Sequence, residues 1–122
     1  MAKVSRTTAE KVQDYGPAED RTTTADGYTM GFTTIRVDSD LAPALAGLPG
    51  GHCSCPHWGY VVKGRLVFTF GDRKEVYEAG DAFYAPPGHT PAADVDTEVV
   101  MFSPADLLAE TEAAIVASIT NG

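Results

Sequence analysis

The chain is short of positive charge: nine Lys and Arg stand against seventeen Asp and Glu, a formal net charge of −8. Such a surface repels phosphate backbones and anionic headgroups, which argues against nucleic acid and against a membrane as partners. Long apolar runs are missing too. No stretch approaches the roughly 18–20 apolar residues needed to span a bilayer. The opening segment, Met1 to Arg6, is polar and lacks the apolar core of a secretory signal. A cytoplasmic location is therefore expected. Cysteine is scarce, with only Cys53 and Cys55. One residue separates them, too little for an unstrained disulfide, and the cytoplasm keeps thiols reduced. They serve either as ligands or as small buried groups. Histidine is equally sparse, at positions 52, 57 and 89.

What the chain does have is turns. Twelve Gly and eight Pro in 122 residues favour an all-β architecture over a helical bundle. Hydrophobic residues make up 43%, enough for a core without staples, and the uniform composition predicts one domain over residues 1–122. Residues 1–27, rich in Thr and charge, read as an irregular N-terminal arm with room for one short edge or swapped strand. Alternating apolar side chains predict a strand over Tyr28–Ile35. A Pro- and Gly-containing connection, Leu41–Gly51, follows. Short strands are then expected over 58–63, 66–70, 75–78, 82–85 and 97–102, separated by Lys63-Gly64-Arg65, Gly71-Asp72, Ala79-Gly80-Asp81 and Pro86-Pro87-Gly88. Strands so short and evenly spaced predict a sandwich or barrel over residues 28–103. After it, Ser103 and Asp106 read as a capping box with Pro104 at the first helical position. Leu107, Leu108, Thr111, Ile115 and Ile119 form the apolar stripe of a helix over 104–119 that lies on the barrel or on a partner subunit.

The stretch Gly51–Pro91 resembles the cupin superfamily. Its second motif is matched in framework: Gly80, five residues, Pro86, then Gly88, with Asp81 after the first glycine. From its first motif Gly64 is in place, with six residues between it and His57. The polar positions depart from the pattern. His57 stands where the family has Glu, Cys53 where it has the second His of H-x-H, and Gly51 where it has the first. Pro91 takes the second motif's His position, with His89 two residues earlier, and Val95 takes that of its Asn. The resemblance implies a cupin-type β-barrel (a double-stranded β-helix or jelly roll) with a C-terminal α-helix, and a homodimer with the N-terminal arm or terminal helix at its interface. It does not carry over the standard three-His-one-Glu site or the activities that depend on it.

The replacing residues still point to a site. Residues 53, 55 and 57 share one face of an extended strand, and His89 has the parity of the lost ligand at 91. Residues four apart on a straight strand lie roughly 13 Å apart, so one ion requires a bend, which Ser54 and Pro56 permit. Cys and His together suit a divalent transition metal, zinc first, with iron, nickel or copper as alternatives. The expected ligands are Cys53, His57 and His89, with Cys55 next and His52 last. Three ligands leave a position open, as in catalytic zinc; adding Cys55 closes it, as in structural zinc. Two readings without metal stay open. In one, His57 acts as a general base and Cys53 or Cys55 as a nucleophile; in the other, the cluster is plain burial. Trp58, Tyr60, Tyr77, Phe83 and Tyr84 line a small-molecule cavity, fill the core or form a dimer face. The function expected is a small metal-binding cupin that acts on or binds a small organic molecule. The alternative is a ligand-sensing or structural cupin without metal.

Overall fold

The computed structural model describes residues 3–121, with side chains through 118. Ten strands, one α-helix and two short 3-10 helices (Pro43–Leu45 and Pro49–Gly51) make up the described residues. The strands and the α-helix are β1 (Lys11–Asp14), β2 (Ala18–Ala25), β3 (Tyr28–Ile35), β4 (Ser39–Asp40), β5 (His57–Lys63), β6 (Arg65–Phe70), β7 (Arg73–Glu78), β8 (Ala82–Ala85), β9 (Thr90–Ala93), β10 (Thr97–Pro104) and α1 (Ala105–Asn121). All pairings are antiparallel. One sheet has the order β1-β2-β3-β10-β5-β8 and the other β4-β9-β6-β7. They face each other as a jelly roll; their hydrogen bonds do not join into one closed cylinder.

The strands expected from alternation form where alternation is clean. On β6, Leu66 and Phe68 turn inward and are almost wholly buried, each contributing roughly 1.5–3 kcal/mol of burial. Ile35, Val61, Phe83, Val99, Ala85 and Ala93 meet them from the neighbouring strands to form the core between the sheets. Gly64 makes the tight reversal from β5 to β6 at φ +85°. A Cβ there would approach the Asp96 carbonyl oxygen to 2.5 Å, so both the turn and the packing demand glycine.

Three expectations need correction. The irregular arm over residues 1–27 holds two regular strands: β2 pairs with β3 along its whole length, and β1 extends the sheet. The inner face of β2 carries Ala18, Asp20 and Thr22 in place of large apolar groups, so its period is invisible in hydrophobicity, while its threonines favour extended backbone. Pro104 ends β10 and the helix begins at Ala105. Ser103 does not cap that helix with its hydroxyl, which bonds instead to His57. Of the helical stripe, Thr111 and Ile115 are buried and Leu108 is half-buried, but Leu107 is exposed. Ile119 has its side chain outside the described residues.

Helix α1 closes one end of the barrel. Ile115 and Leu108 pack on Tyr15, Leu45, Leu48, Cys53 and Cys55, a second apolar cluster distinct from the core. Glu112 ties the helix to β1 and the turn after it, accepting from Tyr15 Oη at 3.2 Å and pairing with Lys11 at 3.3 Å. No helix of the described residues is long and apolar enough to cross a membrane.

Candidate metal centre

The connection before β5 supplies the bend that one ion requires. Residues 54–56 leave the strand conformation, and Cys53 forms an isolated antiparallel bridge with His89. Backbone bonds fix that bridge: Cys53 N–H donates to the His89 carbonyl at 2.8 Å, and Gly88 N–H to the Cys53 carbonyl at 2.8 Å. His57 opens β5. These three elements bring one ligand atom each from Cys53, His57 and His89 to within 4.8 Å of one another, and all three side chains are buried.

Each imidazole is held from behind. His89 Nδ1 lies 2.7 Å from the carbonyl oxygen of Pro86. A carbonyl only accepts, so Nδ1 carries the proton and Nε2 carries the lone pair. That Nε2 is buried without a hydrogen-bond partner. His57 Nδ1 lies 2.7 Å from Ser103 Oγ, and its Nε2 lies 3.7 Å from Cys53 Sγ. Thr111 Oγ1 approaches the same sulfur to 3.3 Å from helix α1. The two imidazole rings stand 4.8 Å apart, and His89 also packs on Phe68 at 4.6 Å.

Burial sets the protonation states. It pushes the His57 imidazole down to about 3, helped by His89, and lowers His89 as well, so both rings are neutral near pH 7. It raises the Cys53 thiol and pushes Cys55 up to about 12. Neutral imidazoles cannot supply the imidazolium that would activate a thiolate. The arrangement therefore lacks what cysteine nucleophilicity needs, and it has what a cation needs: two lone pairs and a thiol whose proton a metal would displace to solvent.

The donors fit such an ion. Two ligands bound tetrahedrally at about 2.0–2.3 Å stand roughly 3.3–3.8 Å apart, and the Cys53–His57 pair already has that separation. Cys55 stands outside the group, its thiol turned to the carbonyls of Pro56 and Pro104. His52 is likewise not part of it. Trp58, Tyr60 and Tyr84 lie exposed on the outer sheet face, while Tyr77 and Phe83 stack at 4.8 Å in and beside the core. None of these five lines the cavity.

A cavity of about 80 Å³ opens beside the three residues. Leu41, Leu45, Leu66, Phe68, Val99 and Met101 give it a largely hydrocarbon wall, and Leu108, Thr111 and Ile115 of α1 close over it. Sequence reasoning missed Ser103 and Thr111, which contact the cluster, and Asp20 and Thr33, which also line the cavity. Ser103 carried a helix-capping signal that masked its other use.

The cupin domain family model matches residues 40–103, more than half of the chain. The chain belongs to the cupin family. No curated protein matches it. Among solved structures, an RmlC-like cupin from Shewanella frigidimarina is 16% identical with a TM-score of 0.59, the match covering 85% of this chain and 92% of that one. KdgF from Halomonas sp. is 22% identical with a TM-score of 0.55, covering 78% and 88%. A conserved protein of unknown function from Streptococcus pyogenes is 12% identical with a TM-score of 0.58, covering 85% and 95%. At these identities the likeness is one of fold. What this cupin does must be argued from its own residues.

Proposed function

We propose that this cupin binds one divalent transition-metal ion through Cys53, His57 and His89, and that the adjoining cavity receives a small organic molecule. The observation that carries this reading is His89 Nε2, a buried lone pair with no partner, in reach of a thiol and a second imidazole. An unpaired buried acceptor is costly unless something fills it. Zinc suits two imidazoles and a thiolate; iron, nickel and copper are the other ions this donor set accepts. Bound there, the ion would supply Lewis acidity. The protein's part is to orient both rings through Pro86 and Ser103, to hold the Cys53 sulfur beside them, and to exclude water with α1.

Three protein ligands leave a coordination position for a ligand in the cavity, which serves either an enzyme or a sensor. The competing reading is a cupin that binds a ligand without metal; the hydrocarbon wall of the cavity is what favours it. Metal content of tag-free protein, measured by plasma mass spectrometry in wild type, Cys53→Ala and His57→Ala, separates the two. Near one equivalent in wild type, lost in both variants, is expected. No stoichiometric metal, even after incubation with each ion, overturns the metal reading.

The outer face of the larger sheet supports a homodimer. Met30, Phe102, Trp58 and Tyr84 stand in register across β3, β10, β5 and β8. Trp58, Phe102 and Tyr84 are each nearly half exposed, and Tyr60 joins them from the next row. Contiguous exposed aromatic surface of this kind marks an interaction site, and a second copy matches it without charge conflict. The interface proposed is thus the sheet face, in place of the terminal helix. A reducing, cytoplasmic location fits a site that needs its thiol free; the net charge of −8 disfavours nucleic acid and anionic membranes as partners.

A further inference from the structure

We propose that Asp20 is the recognition group of the cavity and accepts hydrogen bonds from a protonated amine on a small, mainly hydrocarbon ligand. This inference rests on the reading of the cavity as a ligand site, and it names the class of ligand.

Asp20 sits on the inner face of β2, opposite Thr33 of β3 in the strand register. Thr33 Oγ1 donates to Asp20 Oδ1 at 2.7 Å. Both residues line the cavity, as do Thr22 and Thr29. Among the described residues that line it, Asp20 is the only carboxylate, and no Lys or Arg is present. The groups that face Asp20 from the packed elements do not offset its charge. Glu19 flanks it on β2, Glu112 faces it from α1, and Lys11 of β1 is already paired with Glu112. The hydroxyl of Tyr15 is spent on Glu112 as well.

A carboxylate partly withdrawn from water with one neutral donor is poorly compensated. Burial raises its pKa to about 6, yet leaves it ionised at neutral pH. As a structural tie it is redundant, because β2 and β3 are already paired along their length. A half-buried charge that adds little to the fold and faces a cavity is explained by what the cavity holds. An ammonium group supplies the missing charge and up to three donors. The hydrocarbon wall takes the remainder of the molecule. An anionic ligand is repelled from this end, and a neutral alcohol offers one donor and no charge.

The test uses three probes of one shape: isobutylamine, isobutanol and isobutyrate. Each is titrated calorimetrically into the full chain at pH 7.5, once zinc-loaded and once after chelator treatment. The amine is expected to bind at least tenfold more tightly than the alcohol in both preparations, and isobutyrate not at all. Asp20→Asn, a near-isosteric change that removes the charge, should erase that preference; Thr33→Val should weaken it. Equal binding of amine and alcohol, a preference for isobutyrate, or an amine preference that survives Asp20→Asn overturns the proposal. The wild-type ranking decides even where a variant misfolds. Because it is read with and without zinc, failure here is distinct from failure of the metal site, which metal content reports separately.

Discussion

His89 Nδ1 lies 2.7 Å from the carbonyl oxygen of Pro86, and that bond determines which face of the ring is available. The proton is held on Nδ1, so Nε2 presents a lone pair toward Cys53 and His57. Pro86 belongs to the same Pro-Pro-Gly turn that ends β8. The family's turn chemistry therefore orients a histidine that stands two residues before the family's own ligand position. Ser103 Oγ, 2.7 Å from His57 Nδ1, fixes the orientation of the second ring from β10.

Removing the Ser103 hydroxyl should weaken metal binding without removing a ligand. Outer hydrogen bonds of this kind typically contribute 10–100-fold in affinity. Ser103→Ala is expected to lose about that much in a chelator competition, with metal-free stability changed by only about 1 kcal/mol. An unchanged affinity would mean that His57 is oriented by packing alone.

The two cysteines should separate cleanly. Cys53→Ala is expected to lose the ion. Cys55→Ala should keep one equivalent, since its thiol faces the carbonyls of Pro56 and Pro104, while losing roughly 1–2 kcal/mol in denaturant unfolding from its buried position. The reverse pattern of metal content would assign Cys55 as the ligand.

The strands that build the core were legible because their inward residues are large. Leu66, Phe68 and Phe70 announce β6, and Gly64, Gly80, Pro86 and Gly88 announce the turns of the cupin framework. The residues of the cluster were legible too, as Cys and His concentrated in two short segments. β2 was not legible, for a physical reason: its inward side chains face a cavity, so Asp20 and Thr22 occupy places where a core strand shows Val or Leu. β9, which contains Pro91, was hidden by a residue that cannot donate to the ladder. Ser103 was misassigned because the same hydroxyl that caps helices also orients imidazoles, and only the strand register reveals His57 beside it.

The aromatic row on the outer sheet should hold two copies together. Trp58→Lys places a charge in the middle of Met30, Phe102 and Tyr84, and the same charge faces its symmetry mate. Light scattering after size exclusion is expected to give a dimer for wild type and a monomer for the variant, with circular dichroism unchanged. A monomeric wild type at tens of micromolar would remove the second copy as the occupant of this face.

Asp20 also predicts a pH signature in stability. Its carboxyl titrates near 3.8 in an ordinary setting and near 6 in the fold. Between those values the native state holds the proton more tightly than the unfolded chain does, so this group's contribution is present below pH 4. It is lost as pH rises through 6. His57 and His89, lowered by burial, act in the opposite sense, since their contribution is present above 6.5 and declines on acidification. The difference between wild type and Asp20→Asn isolates the carboxyl, because both proteins share the histidines. Measured by urea unfolding of metal-free protein, the variant's advantage should grow by about 2 kcal/mol from pH 4 to pH 6.5, then level off. A constant difference across that range would show that Asp20 is solvated like a surface carboxylate, and the cavity would then carry no uncompensated charge for a ligand to meet.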